Sequence, residues 1–317
     1  MKLKDQTLAH IYRALKWRYL KRFGSPKAYA DYLYFLRFGK RIKWDAPEDL
    51  NQWINWLAFN ADTTQWSLLA DKYAVREYVA EKGFENALVP LLAVWDKPDE
   101  ITFDKLPSKF VLKINNGSGD IRIIRDKNNV DIDEIKKYFA HIYEHPFGID
   151  TAEPHYLRIQ PKIIAEQLLE NISNKNDSLI DYKFYCFNGI PKWCFICKNR
   201  TKHHFTTDLY TADSSWKRIE QGNLHYDGTR LMAATAMERP LCLDRMLEMA
   251  SCLSIGHPQM RVDFYEVNGK VYFGEITMTA NAGRLYSFTQ QALVDMGNLC
   301  GQAYRNIQRE FHSNLNG

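Results

Sequence analysis

The chain has 317 residues, of which 45% are hydrophobic and 25% are charged, as is usual for a soluble globular protein with an ample core. No apolar run approaches the length of about 18 residues that a membrane-spanning helix needs, and the N-terminus lacks the features of a secretory signal. The net charge is only +4, but residues 1–43 hold 12 basic and 2 acidic residues, a local charge of +10. The length allows two or three small domains or one multi-lobed enzyme.

The six cysteines lie mostly in apolar segments that we expect to be strands and helices. Cys194 and Cys197 form a CxxC pair, but no second pair exists to complete a zinc site. On a strand, two residues three positions apart face opposite sides of the sheet. We therefore expect reduced thiols and a cytoplasmic protein.

The N-terminal charge surrounds a predicted helix over residues 6–23, which is followed by an aromatic helix that ends near Phe38. The apolar stripe of the first helix consists of Leu8, Ile11, Tyr12, Leu15, Tyr19 and Phe23. A basic amphipathic helix can lie at an anionic membrane surface. The alternative, which we favour, is that both helices pack on the main body with their lysines in solvent. We expect no nucleic-acid partner, because the basic residues belong to no recognisable binding fold.

Residues 44–69 contain four tryptophans and predict a packed helix followed by a loop. The next segment, LLADKYAVREYVAEK, predicts a second helix with Val75 and Val79 on its inner face. Lys72 lies near the start of that helix, where the helix dipole disfavours a positive charge. This position makes Lys72 a candidate contact for an anion, although a lysine in solvent is the default.

The alternation of apolar residues over 110–115 predicts a half-buried strand that carries Lys113. Residues 116–120 form a turn of small residues, and residues 121–125 return as a second strand. Backbone N–H groups in such a turn can approach phosphates closely, so the segment is a candidate flap. It is not a Walker A loop, because it lacks the GxxxxGK[ST] pattern and no helix follows it directly.

Residues 132–143 predict a helix, and a later apolar stretch predicts a buried strand that ends in Glu166, Gln167, Leu168 and Leu169. Residues 181–200 predict a hairpin with an Asn-Gly turn at positions 188 and 189. Asp181, Lys183, Lys198 and Arg200 interrupt strands that are otherwise apolar.

Residues 201–240 are expected to be loop-like. They contain His203 and His204, but adjacent side chains diverge in helices and strands, so we expect a surface role rather than a metal site. Helices are predicted over residues 243–254 and over the C-terminal residues from 289 to about 311. No internal repeat or low-complexity tract is present.

Residues 261–283 predict two strands joined by a tight Asn-Gly turn. If the loop had only those two residues, Asp263 would lie opposite Gly274. The carboxylates of Asp263 and Glu275 would then point to opposite faces of the sheet.

A three-residue loop over 267–269 gives another register, in which Asp263 pairs with Phe273 and Arg261 with Glu275. One face of the hairpin then carries the polar residues Arg261, Asp263, Glu275 and Thr277. The alternation favours this register, with the two acids as diagonal neighbours about 7–8 Å apart at the backbone. Such a pair suits Mg²⁺, and a surface hairpin with scattered charges is the alternative.

The order of these features resembles the ATP-grasp superfamily of carboxylate ligases. The phrases DKYAVREYV, FVLKINNGSG, DYKFYCFNG and RVDFYEVNGKVYFGEITMT look like the TupA-like branch of polysaccharide-biosynthesis proteins, over about residues 45–295. The resemblance implies an α+β, ATP-grasp fold with ATP held between the antiparallel sheets of two lobes. It implies a short helical segment over residues 1–65, an N-lobe over 66–165 and a C-lobe over 166–317.

The resemblance also implies roles for single residues. The expected phosphate contacts are Lys72, Lys113 and Lys183, under a flap formed by Gly117, Ser118 and Gly119. The expected adenine hinge is Glu166, Gln167, Leu168 and Leu169, with backbone groups of Gln167 and Leu168 as the contacts, and either Glu170 or Asp181 is expected to bind the ribose. The expected Mg²⁺ ligands are Asp263, Glu275 and Thr277. Arg261 and Lys183 are expected to act in catalysis, Arg261 on the oxyanion of an acyl phosphate.

Three features depart from the pattern of the family. Related ligases usually have Asn where this chain has Thr277, which makes direct metal coordination less secure. The TPGSG-like tail of this branch is TANAG at residues 279–283, which puts the acceptor loop in doubt. The N-terminal segment is also short for the α/β domain that precedes the ATP site in many ligases.

The implied function is an ATP- and Mg²⁺-dependent ligase that joins a carboxylate to an amino acid or amine through an acyl phosphate. The implied carboxylate is a uronic acid of a surface polysaccharide or its precursor. Two alternatives are a glycosyltransferase and a non-catalytic nucleotide-binding partner of a membrane assembly. The basic N-terminus leaves open a peripheral contact with the inner face of an anionic membrane.

Overall fold

The structure is a computed structural model that describes residues 3–171, 179–199, 206–219 and 236–315, with side chains from residue 11 to residue 313. His203 and His204 lie outside the described residues. The described chain forms helices and two antiparallel sheets, which confirms the predicted α+β class. All six cysteines are free thiols, as predicted. No helix in the described ranges combines the length and the apolar content needed to cross a membrane.

Two helices form the basic N-terminal segment, α1 (Leu3–Phe23) and α2 (Pro26–Phe38). Ser25 caps α2 by accepting a hydrogen bond from the Ala28 N–H. α1 packs on α2 through Trp17 and Leu20, which contact the cluster around Tyr29. Both helices thus pack on the body, as the favoured prediction has it, but the predicted apolar stripe of α1 is exposed in its described part.

Three helices follow: α3 (Leu50–Asn60), α4 (Thr64–Ala70) and α5 (Val75–Glu81). The single helix predicted around Lys72 is therefore wrong, since the chain breaks between α4 and α5. The Asp71 carboxylate accepts hydrogen bonds from the N–H groups of Tyr73 and Ala74 at 2.8 and 3.2 Å. An aspartate that bonds to the backbone in this way competes with helical hydrogen bonding. Lys72 consequently lies in a turn.

The first sheet has the strand order β1-β4-β2-β3. Its strands are β1 (Leu91–Trp95), β2 (Phe110–Ile114), β3 (Ile121–Ile124) and β4 (Ile163–Gln167). Helix α6 (Ile132–Glu144) packs on this sheet through Ile135 and Phe139, which share a core with Phe110 and Leu112. The predicted strands and helix of this region are confirmed, except that β2 is buried on both faces and β4 ends at Gln167.

The second sheet has the order β7-β6-β5-β8-β9. Its strands are β5 (Asp181–Phe187), β6 (Ile190–Lys198), β7 (Thr206–Thr211), β8 (Met260–Val267) and β9 (Lys270–Thr277). Helices α7 (Leu243–Ser254) and α8 (Gln290–Leu315) bury Met246, Leu253 and Leu293 in the same core as this sheet. The buried residues of α3, α4 and α5 belong to that core as well.

Strand β7 corrects the prediction that residues 201–240 are loop-like. Its sequence TTDLYT is polar, yet Asp208 and Tyr210 are buried. Asp208 accepts a hydrogen bond from Arg218 at 3.0 Å, and Tyr210 stacks on Trp216 at 4.6 Å. These contacts come from residues that follow β7 in the chain, and they allow a polar strand to be buried.

The β8–β9 hairpin brings Asp263 and Glu275 directly opposite each other. The loop has only two residues, Asn268 and Gly269, both in the left-handed conformation at φ 54° and 74°. The predicted three-residue loop and its pairs are therefore wrong. A β-bulge next to Gly274 shifts the register, so the predicted shared face of the two acids is nevertheless confirmed.

Candidate active site

A cavity of about 430 Å³ lies between the two sheets and collects most of the predicted site residues. Those that line it are Lys72, Lys113, Ser118, Gly119, Glu166, Gln167, Leu168, Leu169, Glu170, Asp181, Lys183, Arg261, Asp263 and Glu275. The two remaining predictions, Gly117 and Thr277, line an adjoining chamber of about 300 Å³. We call the two spaces the cleft and the second chamber.

Arg261 joins the two acids of the β8–β9 hairpin. Its Nε and Nη2 donate to the Asp263 carboxylate at 2.7 and 2.8 Å, and Nη2 also donates to Glu275 Oε1 at 2.9 Å. The Thr277 hydroxyl donates to the same Glu275 oxygen at 3.2 Å. The β8–β9 pairing thus aligns all four polar side chains on one face.

Two lysines complete this cluster. Lys183 Nζ donates to Asp263 Oδ2 at 2.6 Å, and Lys72 Nζ lies 3.5 Å from Glu275 Oε2. Burial acts to raise the pKa of Glu275, but the charges of Lys72, Arg261 and Lys183 outweigh it and lower the pKa to about 2. Glu275 is therefore ionised at neutral pH. An ionised carboxylate beside Asp263 and a threonine hydroxyl forms an all-oxygen donor set that fits Mg²⁺.

The Lys72 turn is attached to the end of β2. The Lys72 N–H donates to Asn115 O at 3.1 Å, and the Asn115 side chain donates to Asp71 Oδ1 at 2.9 Å. Lys72 Nζ also donates to Gly117 O at 2.5 Å. A side chain at Gly117 would bring its Cβ within 2.6 Å of Ile114, so this tight turn requires glycine. The turn and the flap thus form one connected unit, which sequence reasoning missed.

The opposite end of the cleft is organised around Glu166. Its carboxylate accepts from Lys113 Nζ at 2.6 Å and from Arg76 Nη1 at 3.3 Å. Arg76 also donates to Val89 O at 2.8 Å, so its guanidinium bridges Glu166 of β4 and the segment before β1. Arg76 was not predicted, because nothing near it in the sequence indicates a partner 90 residues away. Glu166 lines the cleft with its carboxylate bonded to two cations, and its role in an adenine hinge stays a prediction.

Two predictions about nucleotide contacts are refined by this geometry. The Gln167 N–H donates to Pro90 O at 3.0 Å, so this group is already bonded and is not a free donor for adenine. Glu170 is paired with Lys109 at 3.0 Å, while Asp181 is buried 3.9 Å from Lys183. Both acids line the cleft, and the choice between them for the ribose stays a prediction.

The second chamber shares Arg261 and Glu275 with the cleft. Its other walls include Glu153, Thr279 and Arg284. The Thr279 hydroxyl donates to the buried Glu153, whose pKa is raised by burial. Arg284 donates to Thr151 O at 3.2 Å. A group held in this chamber would therefore meet a group held in the cleft at the acid–arginine cluster.

The TANAG segment that forms one wall of the second chamber has an unusual backbone. Asn281, Ala282 and Gly283 are all left-handed, with φ between 51° and 62°. Two asparagines of α3 hold this backbone: Asn55 donates to Gly283 O at 3.1 Å, and Asn51 donates to Leu285 O at 2.9 Å. Left-handed residues in series are costly unless such contacts determine them. The signal missed in the sequence was the set of amide side chains on this otherwise apolar, aromatic helix.

Among solved structures, several of low identity align with the chain. D-alanine–D-alanine ligase from Bacillus anthracis complexed with ATP is 15% identical with a TM-score of 0.43, covering 77% of this chain and 68% of that chain. L-amino acid ligase from Bacillus licheniformis is 12% identical with a TM-score of 0.47, covering 82% and 57%. The ATP-grasp ligase PsnB complexed with minimal precursor, Mg and ADP is 11% identical with a TM-score of 0.42, covering 81% and 65%. The chain thus spans 57–68% of the lengths of these three.

The sequence itself matches a family. No curated protein matches the chain. The sequence model of the TupA-like ATP-grasp family matches residues 52–299, which is more than three quarters of the chain. This match confirms both the predicted resemblance and the ATP-grasp fold. The chain therefore belongs to the TupA-like ATP-grasp family.

Proposed function

We propose that the protein is an ATP- and Mg²⁺-dependent ligase that forms an amide between a carboxylate and an amino acid or amine. Membership of the ATP-grasp family supports ATP-dependent ligation in general. The observation that carries the proposal is the junction of two spaces, the cleft and the second chamber, at Arg261 and Glu275. A ligase of this kind needs such a junction, because the γ-phosphate and the acceptor carboxylate must meet there.

In this proposal the cleft holds ATP. Lys72, Lys113 and Lys183 line it from three different segments and can neutralise phosphate charge. Asp263 and Glu275, with Thr277 beside them, would hold Mg²⁺, which supplies further neutralisation of the triphosphate. Phosphoryl transfer depends mainly on charge neutralisation and alignment, so this residue set is sufficient without a covalent catalyst.

The reaction has two steps. A carboxylate oxygen of the acceptor attacks the γ-phosphorus of ATP, and ADP leaves with the electrons of the broken bond. The amine then attacks the acyl carbon, phosphate leaves, and the nitrogen loses a proton. Arg261 is placed between the two spaces and can stabilise the developing oxyanion.

We further propose that the second chamber binds the acceptor carboxylate, from a uronic acid of a surface polysaccharide or its precursor. Support comes from its volume of about 300 Å³ and from Arg284 and Arg261 in its walls, which suit an anionic saccharide. The uronic acid follows from the family resemblance. A cytoplasmic location remains part of the proposal, in keeping with six free thiols.

The glycosyltransferase alternative has less support. Such enzymes often bind a sugar nucleotide through an Asp-x-Asp motif, and the sequence has one at Asp131-Ile132-Asp133. Asp131 caps α6 by accepting from the Asp133 N–H at 2.8 Å, and both acids are exposed. That motif therefore caps the start of α6 and is not part of the cleft.

The proposal can be tested before the natural amine is known. The protein would be incubated with ATP, Mg²⁺, hydroxylamine and a panel of glucuronate and galacturonate oligomers. An acyl phosphate is trapped by hydroxylamine as a hydroxamate, so we expect uronate-dependent hydroxamate together with equal amounts of ADP and phosphate. Asp263→Asn should abolish both while leaving the fold intact.

Three outcomes would contradict the proposal. Release of UDP from sugar nucleotides without ADP formation would favour a glycosyltransferase. ATP binding without turnover on any acceptor would favour a non-catalytic partner of a membrane assembly. Full activity of Asp263→Asn would show that the acid pair does not hold the metal.

A further inference from the structure

The exposed apolar stripe of α1 is a surface feature that the proposed function does not use. Its described members are Ile11, Tyr12, Leu15, Tyr19 and Phe23, with exposed fractions between 52% and 70%. Four of them recur every four residues, so they form one continuous stripe along the helix. A contiguous apolar surface of this kind usually marks an interaction site.

The packing of α1 fixes the direction of this stripe. Trp17 and Leu20 lie on the opposite side of the helix and pack on the cluster around Tyr29. The Tyr32 hydroxyl donates to Arg13 O at 3.1 Å, and Lys21 forms an ion pair with Asp150. The helix is thus attached to the body by one face while its apolar stripe points away from it.

Positive charges border the stripe on both sides. Lys16 lies along one edge, and Arg18 and Arg22 lie along the other. The Arg22 guanidinium is 5.7 Å from the centre of the Phe23 ring, at the end of the stripe. The sequence over residues 1–43, which includes α1 and α2, carries a net charge of +10.

We propose that α1 binds the surface of an anionic lipid bilayer, with its apolar stripe at the boundary between headgroups and acyl chains. Leucine, isoleucine and aromatic side chains bind in that boundary, and lysine and arginine at the edges bind the anionic headgroups. The positive charge beside the stripe favours an anionic bilayer over a second copy of the chain, because two such basic segments repel each other.

Helix α2 lies between the apolar stripe of α1 and the second chamber. The assignment of that chamber to the acceptor rests on the proposed function. Leu33, Leu36 and Arg37 of α2 line a groove of about 330 Å³. The groove shares Asn281 and Arg284 with the second chamber. Docking of α1 would therefore bring the acceptor side of the enzyme to the membrane, where a membrane-bound saccharide could reach it.

The test is sedimentation of the full chain with vesicles of phosphatidylcholine containing 30% phosphatidylglycerol, and with phosphatidylcholine alone. We expect binding to the anionic vesicles that weakens at high salt, because headgroup attraction is screened. Leu15→Glu combined with Tyr19→Glu should weaken binding about tenfold or more, because both side chains leave the acyl boundary. The matched control is Ile190→Glu with Leu241→Glu, two exposed apolar positions elsewhere, and it should bind as the unchanged protein does.

Several results would overturn the proposal. One such result is that the unchanged protein does not bind anionic vesicles. Another is that the Leu15→Glu, Tyr19→Glu variant binds them as well as the control variant does. A dimer in light scattering that the stripe variant abolishes, without vesicle binding, would assign the stripe to a second copy. Hydroxamate formation with a soluble uronate is expected in all variants, so failure of the membrane proposal is distinguishable from failure of the ligase proposal.

Discussion

His155 shows how a single residue can make the stability of this protein depend on pH. It is 1% exposed, and its ring packs edge-on against Trp66 with 5.6 Å between ring centres. Within the described part of the chain, neither ring nitrogen has a hydrogen-bond partner. Burial therefore lowers the pKa of His155 to about 3, and the imidazole is neutral in the folded protein.

We predict that acid weakens the fold through His155. The folded pKa lies below the unfolded value of about 6.5, so its contribution to stability is complete above pH 6.5 and is lost as the pH falls towards 3. Between pH 7.5 and 5 the loss should be about 2 kcal/mol. Urea unfolding of His155→Phe should show a smaller loss over this range. Replacement of the exposed His312 by Phe serves as the control, and identical pH profiles for His155→Phe and the control would refute the account.

Some site residues could be predicted from the sequence and others could not. Lys113 was predictable as a polar position on a strand, and that strand exists as β2, although Val111 on the same face is buried. Arg76 was not, because its significance depends on Glu166, which approaches it only after the chain has folded. The Lys72 position was predicted inside a helix, since the periodicity gave no sign that the Asp71 carboxylate would bond to the backbone.

At the scale of elements, the β8–β9 hairpin is the most informative case. The alternation of polar and apolar residues correctly indicated one shared polar face. The loop length was wrong because an extra residue in the loop and an extra residue in a bulge shift the register identically. Local sequence cannot separate these possibilities. The structure assigns the extra residue to the bulge beside Gly274.

We predict that Gly274→Val disrupts the acid pair. A Cβ at this position would lie 3.0 Å from the Asp263 carbonyl oxygen and 3.2 Å from the Tyr265 ring. The crowding should cost about 1–3 kcal/mol of stability and displace Asp263 relative to Glu275. Thermal unfolding and hydroxamate formation would be measured together. Lys270→Val, at an exposed position of the same strand, is the control, and a Gly274→Val protein as active and stable as this control would rule out the role of the bulge.

At the scale of the whole molecule, the cleft unites segments that are far apart in the sequence. Lys72 comes from the turn between α4 and α5, Glu166 from the first sheet and Glu275 from the second. Secondary structure around each segment was largely predictable, because periodicity is local. The convergence of these segments in one cleft was not predictable from periodicity. Only the resemblance of the order of motifs to that of a known family suggested it. The second chamber and its anchors in α3 were not anticipated, because they depend entirely on tertiary contacts.

The central claim is that Asp263 and Glu275 hold the Mg²⁺ that accompanies ATP in the cleft. Calorimetric titration of ATP, with Mg²⁺ and with EDTA, tests it most directly on the unchanged protein and on Glu275→Gln. We predict that Mg²⁺ tightens ATP binding about tenfold or more in the unchanged protein. In Glu275→Gln this dependence should disappear, while metal-free ATP binds at least as well because one repelling charge is gone. A Glu275→Gln protein that keeps the full Mg²⁺ dependence would contradict the account.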